Sequence, residues 1–151
     1  MKIVVKIVDG HGLDYPGPPG MGRRTIITED LELVSIDGNM QPANTPGGTH
    51  SGIITAVRER TPNDKYFPAP AHPPTLVYQY EATYLFLAET AILPVALPRG
   101  MVTVNGAFWL PRPPMEVKFA ITGGTGPYGS ARGEVTESGP DGRTHTLDIT
   151  L

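Results

Sequence analysis

Three tyrosines at positions of equal parity, Tyr78, Tyr80 and Tyr84, stand in the run Tyr78-Gln-Tyr-Glu-Ala-Thr-Tyr-Leu-Phe86. Side chains of an extended strand point alternately to its two faces, so Tyr78, Tyr80, Ala82, Tyr84 and Phe86 share one face and Gln79, Glu81, Thr83 and Leu85 the other. A phenol hydroxyl in a water-poor setting can donate to a carbonyl and activate it, while the rings around it hold an apolar ligand. The same row could equally fill a core, and the residues alone leave both readings open.

A second candidate is Glu29, which shares parity with Leu31 and Leu33. On an apolar face its neutral form is favoured by desolvation, and it could then act as a proton donor; on an exposed face it is an ordinary solvated carboxylate. His11, His50, His72 and His145 are scattered without the close spacing of a metal site, and His50, in a strand-like segment, is the one worth mutating. The absence of cysteine excludes disulfides, thiolate catalysis and thiolate metal sites. The expectation is therefore no metal and no cofactor.

The elements that must position these groups are short and β-like. With 18 Gly and 17 Pro punctuating short apolar runs, many turns are favoured over long helices. Alternation marks eight strand-like segments near residues 2–8, 23–34, 48–59, 75–88, 101–109, 115–123, 130–137 and 143–151. One helical turn is expected within Leu85 to Leu97. In the first segment Ile3, Val5 and Ile7 form a uniform apolar face, suited to a core or to a subunit interface. The length of 151 residues predicts one domain, residues 1–151. Between the third and fourth segments, Tyr66 and Phe67 stand among prolines, as in a stiff flap with an aromatic tip over a cavity mouth or a plain surface loop.

Phe119-Ala-Ile-Thr-Gly-Gly-Thr-Gly-Pro-Tyr-Gly-Ser-Ala-Arg-Gly-Glu-Val135 joins two of these segments through a glycine-rich turn. This run resembles the signature of the allene oxide cyclase and dirigent superfamily of small β-barrels. Tyr80-Glu-Ala-Thr-Tyr-Leu-Phe86 resembles a strand of plant allene oxide cyclases, and Val102-Thr-Val-Asn-Gly-Ala-Phe108 the strand after it; Gly48-Thr-His-Ser-Gly-Ile-Ile54 falls in the corresponding order. The resemblance implies an all-β fold, a single eight-stranded antiparallel β-barrel of calycin type, with Tyr80 and Phe108 facing the lumen. Parity then puts Tyr78, Tyr84, Phe86, Glu29, Leu31, Leu33 and Ile54 inward as well. The segment Val5 to Pro16 departs from the epoxide-binding pattern of the plant enzymes, and Ile54 stands in place of their cysteine. Ile3-Val-Val-Lys-Ile-Val-Asp9 resembles instead the start of bacterial spirotetronate cyclases, which catalyse [4+2] cycloaddition on linear polyketides.

The resemblance thus implies an intramolecular cyclase, with Tyr78, Tyr80, Tyr84 and Glu29 as catalytic candidates. Leu31, Leu33, Ile54, Phe86, Phe108, Tyr66 and Phe67 would surround an apolar polyene or polyketide. Folding such a substrate so that its ends approach to about 3–3.5 Å supplies much of the rate. The alternative is a non-catalytic, dirigent-like or lipocalin-like binder. A formal charge of −3 without any long Lys/Arg block excludes a nucleic-acid partner. Neither a signal-like start nor a membrane-length apolar run is present, so the expectation is a cytoplasmic protein, a homodimer or homotrimer.

Overall fold

Apolar and polar residues alternate along Lys2 to Ile7, and the sheet uses that alternation directly: Ile3, Val5 and Ile7 are buried in the core while Lys2 and Lys6 are exposed. In the computed structural model, which describes residues 1–14, 22–59, 76–86, 97–109, 116–139 and 142–151, the strands are β1 (Lys2–Asp14), β2 (Arg24–Ile36), β3 (Asn39–Met40), β4 (Pro46–Glu59), β5 (Leu76–Phe86), β6 (Gly100–Trp109), β7 (Val117–Thr125), β8 (Arg132–Ser138) and β9 (Thr144–Thr150). Every pairing is antiparallel. The neighbour order β1-β9-β8-β7-β6-β5-β4-β2 closes on itself through the β1–β2 pair, making an eight-stranded barrel with the two-residue β3 appended to β2.

The eight segments expected from alternation are the eight barrel strands, with differences at their ends. β1 runs to Asp14 rather than stopping near residue 8. Its pairing with β9 ends at Lys6 opposite Thr144, but its pairing with β2 continues to Asp14 opposite Thr25. Gly10 and Gly12 interrupt the apolar pattern there without interrupting the backbone ladder. Register shifts after Val4 and Ile7 bend β1 along β2, as bulges do where a sheet must curve to close. β3 was not foreseen; it is a stub beyond the tight Asp37-Gly38 turn. The helical turn expected within Leu85 to Leu97 and the aromatic flap at Tyr66 and Phe67 lie outside the described residues.

The glycine-rich run is the expected tight barrel turn. β7 continues to Thr125 and a short 3-10 turn, Gly126–Tyr128, leads towards β8. Gly124 sits where a Cβ would lie 2.2 Å from the Met101 carbonyl oxygen and 2.6 Å from that of Tyr128, so only glycine lets the two backbones approach. Tyr128 folds back as a buried cap, its hydroxyl donating to the Pro98 carbonyl at 3.1 Å.

Antiparallel connectivity sends the starts of β2, β5, β7 and β9 and the ends of β1, β4, β6 and β8 to one end of the barrel. At the opposite end Phe86, Leu97, Val102 and Tyr128 fill the interior, with the Phe86 and Tyr128 rings 5.6 Å apart. The lumen is therefore plugged by its own side chains at one end.

Candidate functional site

The row of equal parity on β5 is inward as expected: Tyr80, Ala82, Tyr84 and Phe86 are buried, and Tyr78 packs partly buried against the core. Towards the open end the row borders a cavity of about 250 Å³ lined by Ile7, Ile27, Glu29, His50, Ile54, Tyr80, Glu137, Gly142, Arg143 and His145. The expected interior was an oily tube carrying a few phenols. Among the described residues its lining has instead two histidines, two carboxylates and an arginine beside three isoleucines.

Three of these groups form a hydrogen-bonded chain across adjacent strands. Glu29 on β2 lies opposite His50 on β4, and the next strand, β5, brings Tyr80 to the other ring nitrogen. The His50 Nδ1 is 2.6 Å from the Glu29 Oε2, and the Tyr80 hydroxyl is 2.5 Å from the His50 Nε2. A carboxylate only accepts, so Nδ1–H donates to Glu29 and the remaining nitrogen of a neutral ring accepts from the Tyr80 O–H. Carboxylate, imidazole and hydroxyl stand in the order that primes a hydroxyl to lose its proton.

Glycine makes room for this chain at two points. A Cβ on Gly10, opposite Glu29 in the β1–β2 ladder, would meet the Glu29 Cγ at 3.0 Å, and the bare backbone leaves that side chain its channel to His50. A Cβ on Gly52 would lie 2.8 Å from the Ala82 Cβ, 2.9 Å from the Glu81 carbonyl oxygen and 3.2 Å from the Tyr80 ring. The missing side chain sets how closely β4 approaches β5 beside the tyrosine.

A second pair lies behind the first. The Tyr84 hydroxyl is 2.7 Å from the His145 Nδ1, and the His145 Nε2 is 3.1 Å from the Gly142 carbonyl oxygen and 3.8 Å from the Glu137 Oε1. A carbonyl oxygen only accepts, so Nε2 carries the proton and Nδ1 accepts from Tyr84. Burial pushes the Tyr84 phenol well above its ordinary pKa, and Tyr80, Glu137 and Glu29 add to the shift, so this hydroxyl keeps its proton. The His50 ring lies 4.5 Å from the Tyr84 ring and meets the His145 ring edge to face at 5.5 Å, so the two pairs form one packed group.

Of the residues singled out in the sequence, Glu29, Tyr80 and Ile54 line the cavity. Tyr84 stands behind the histidines. Leu31, Leu33 and Phe86 are buried in the core, and Tyr78 stacks on Phe108 with ring centroids 5.4 Å apart. Tyr66 and Phe67 lie outside the described residues. Sequence reasoning set His50 apart only by its strand position and passed over His145, Glu137 and Arg143. His145 is the second residue of β9, buried and on the inward parity of Leu147 and Ile149. That parity was the available signal.

A larger groove of about 500 Å³ crosses the outer wall over β4 to β7, where Ser51, Thr83, Thr103, Asn105 and Thr122 are among its lining residues. No histidine is among the described residues that line it, and its Glu81 carboxylate accepts from Gln79 at 2.7 Å. The acid–base groups are inside the barrel. Among the described residues, no three His, Asp or Glu side chains group as a metal site, and no helix is long and apolar enough to cross a membrane.

No protein-family model matches the chain, and no curated protein matches it in sequence. Solved structures do resemble it. One, named pyocyanin demethylase, superposes with a TM-score of 0.59 over 99% of this chain and 98% of its own, at 23% identity. That likeness is one of fold and agrees with the closed eight-stranded barrel.

Proposed function

We propose that the barrel is a cofactor-independent enzyme of the allene oxide cyclase-like type, an intramolecular cyclase that takes a proton from a small apolar carbonyl substrate held in its lumen. The observation that carries this reading is the Glu29–His50–Tyr80 chain, which ends at the cavity. The Tyr80 oxygen accepts a proton from a C–H beside the substrate carbonyl while its own proton passes to the His50 Nε2. Glu29 stabilises the imidazolium through Nδ1–H. The electron pair of the broken C–H bond becomes an enolate. On a conjugated substrate this is an electron-rich dienolate, which closes onto a tethered alkene in the [4+2] sense to a ring enolate that takes back the proton held on His50 through Tyr80, or the open anion takes that proton at another carbon and the product is an isomer.

The cavity, about 250 Å³, lies below the roughly 300–1,000 Å³ of pockets that enclose a drug-sized ligand. It suits the reacting end of a polyene or polyketide, with the rest of the chain directed out of the mouth. The neighbouring fold adds one precedent by its name, a demethylase of pyocyanin. Exposed Ile53 and Val57 on the outside of β4 are suited to a homodimer or homotrimer contact, and the proposed setting is the cytoplasm.

The test uses 2-tetralone, a small aromatic ketone with acidic C–H bonds, in deuterium oxide. The enzyme is expected to speed deuterium uptake beside the carbonyl, read by proton NMR, and His50→Ala and Glu29→Gln to abolish the acceleration. Binding of the polyene cis-parinaric acid without any proton exchange would convert the reading to a dirigent-like or lipocalin-like binder. Absence of both would overturn it.

A further inference from the structure

The two histidines of the cavity face the same space with opposite proton polarity. His50 directs an accepting nitrogen at Tyr80, whereas the His145 Nε2 carries a proton and donates it to the Gly142 carbonyl. We infer that His145 is the oxyanion-binding residue of this site, its Nε2–H holding the oxygen of an enolate or phenolate, so that the ligand class is a planar, enolisable ketone or the corresponding phenol. The inference deepens the proposed proton removal, and its binding arm stands without any turnover.

Three observations meet here. First, the tautomer is fixed from both sides. Gly142 supplies only an acceptor to Nε2, and in a neutral ring the Tyr84 hydroxyl is left to donate to Nδ1. A neutral ring so engaged keeps its donor towards Gly142, and such an imidazole is a competent donor to a developing oxyanion. Second, both His145 and Gly142 line the cavity, so a ligand oxygen there can share the Nε2 proton with the Gly142 carbonyl. Third, the cavity lining combines a base group, Tyr80 with His50 and Glu29, with the apolar side chains of Ile7, Ile27 and Ile54, which suit a flat ring. An enolate formed among these groups needs a donor for its oxygen, and His145 supplies one. Glu137, 3.8 Å from Nε2, opposes any anion bound there, formed in place or captured from solvent alike, so the neutral phenol is the tighter-bound form.

2-Naphthol is a stable aromatic mimic of the 2-tetralone enol, and naphthalene is the same body without the oxygen. Fluorescence titration should show wild-type protein binding 2-naphthol about 2- to 12-fold tighter than naphthalene, as a hydrogen bond gained on binding implies. His145→Leu should erase that preference while leaving naphthalene affinity unchanged, and His145→Gln, which keeps a donor, should restore part of it. An equal loss for both ligands in His145→Leu would make the residue a packing group and overturn the inference. If a variant does not fold, nitrogen-15 NMR of the wild-type ring decides instead: the Nε2–H tautomer, converting to a pH-dependent mixture in Tyr84→Phe, is expected, and an Nδ1–H tautomer in the wild type overturns it. Retained naphthol preference with no deuterium uptake into 2-tetralone would sink the proposed turnover and leave this binding role standing.

Discussion

The two ends of the barrel are built from the same strand and differ in what the neighbouring strands bring to it. At one end Phe86 of β5 meets Leu97, Val102 and Tyr128, and the lumen is closed by rings and aliphatic groups. At the other end Tyr80 of the same inward row meets His50 and Glu29, and about 250 Å³ stays open. Uniform apolar packing maximises burial and fixes the fold, whereas polar groups in the interior require satisfied partners and give little net stability in return. The closed end is where substitution should cost stability. The open end is where it should cost chemistry.

The sharpest way to break that division is at the open end. Tyr80→Phe keeps the ring and removes only the hydroxyl at the end of the proton chain. Deuterium uptake into 2-tetralone should fall by about 10²–10⁴-fold, the usual contribution of a positioned acid–base group, with little change in the urea midpoint. A large stability loss with unchanged exchange would assign Tyr80 to the core instead. The matching substitution at the closed end is Phe86→Ala, expected to destabilise by about 3–5 kcal/mol through lost burial and a residual cavity. Proton exchange per folded molecule should survive it.

Gly52→Ala probes the border between the two regions and should have an intermediate effect. The added methyl would meet the Ala82 Cβ, the Glu81 carbonyl and the Tyr80 ring, all within 3.2 Å. Backbone cannot yield cheaply there, so β4 must move from β5, at a cost of about 1–3 kcal/mol for overpacking. Because the displaced ring ends the proton chain, exchange should fall along with stability, unlike in either single-end variant. An unaffected exchange rate would show that the Tyr80 position does not depend on how closely β4 lies to β5.

The closed end was the more legible in the sequence. Leu31, Leu33, Tyr84 and Phe86 declare their inward parity by type, and the glycine-rich run around Gly124 marks a turn that few folds use. Glu29 was recognised by sharing that parity. Its pairing with His50 was not, because residues 29 and 50 are 21 positions apart and only the β2–β4 register places them opposite each other. His145 is further still, 61 residues from Tyr84, and its neighbourhood of Gly142, Arg143 and Thr144 looks like a turn. Polar residues on an inward parity carry no local signal beyond the parity itself. Closure of the barrel turns four unremarkable side chains into one site, and closure is a property of the whole sheet.

The smallest effect expected is an alkaline one, and it belongs to the closed end. Burial pushes the Tyr128 phenol up to about 12 from an unfolded value near 10. Between those values the folded protein holds a proton that the unfolded chain releases. The contribution is thus intact below about pH 10 and is lost as pH rises towards 12, by at most about 2.7 kcal/mol for two units. Tyr128→Phe removes this titration but forfeits the hydrogen bond to the Pro98 carbonyl, about 0.5–1.5 kcal/mol. The variant should therefore be slightly less stable than the wild type at pH 7 and lose less on raising the pH, so that their urea midpoints converge above pH 10. The raised Tyr84 pKa leaves a residual alkaline slope in both proteins. Midpoints that fall in parallel from pH 8 to 11.5 would mean that the Tyr128 hydroxyl reaches solvent in the folded barrel, and the cap at Gly126–Tyr128 would then not seal the lumen.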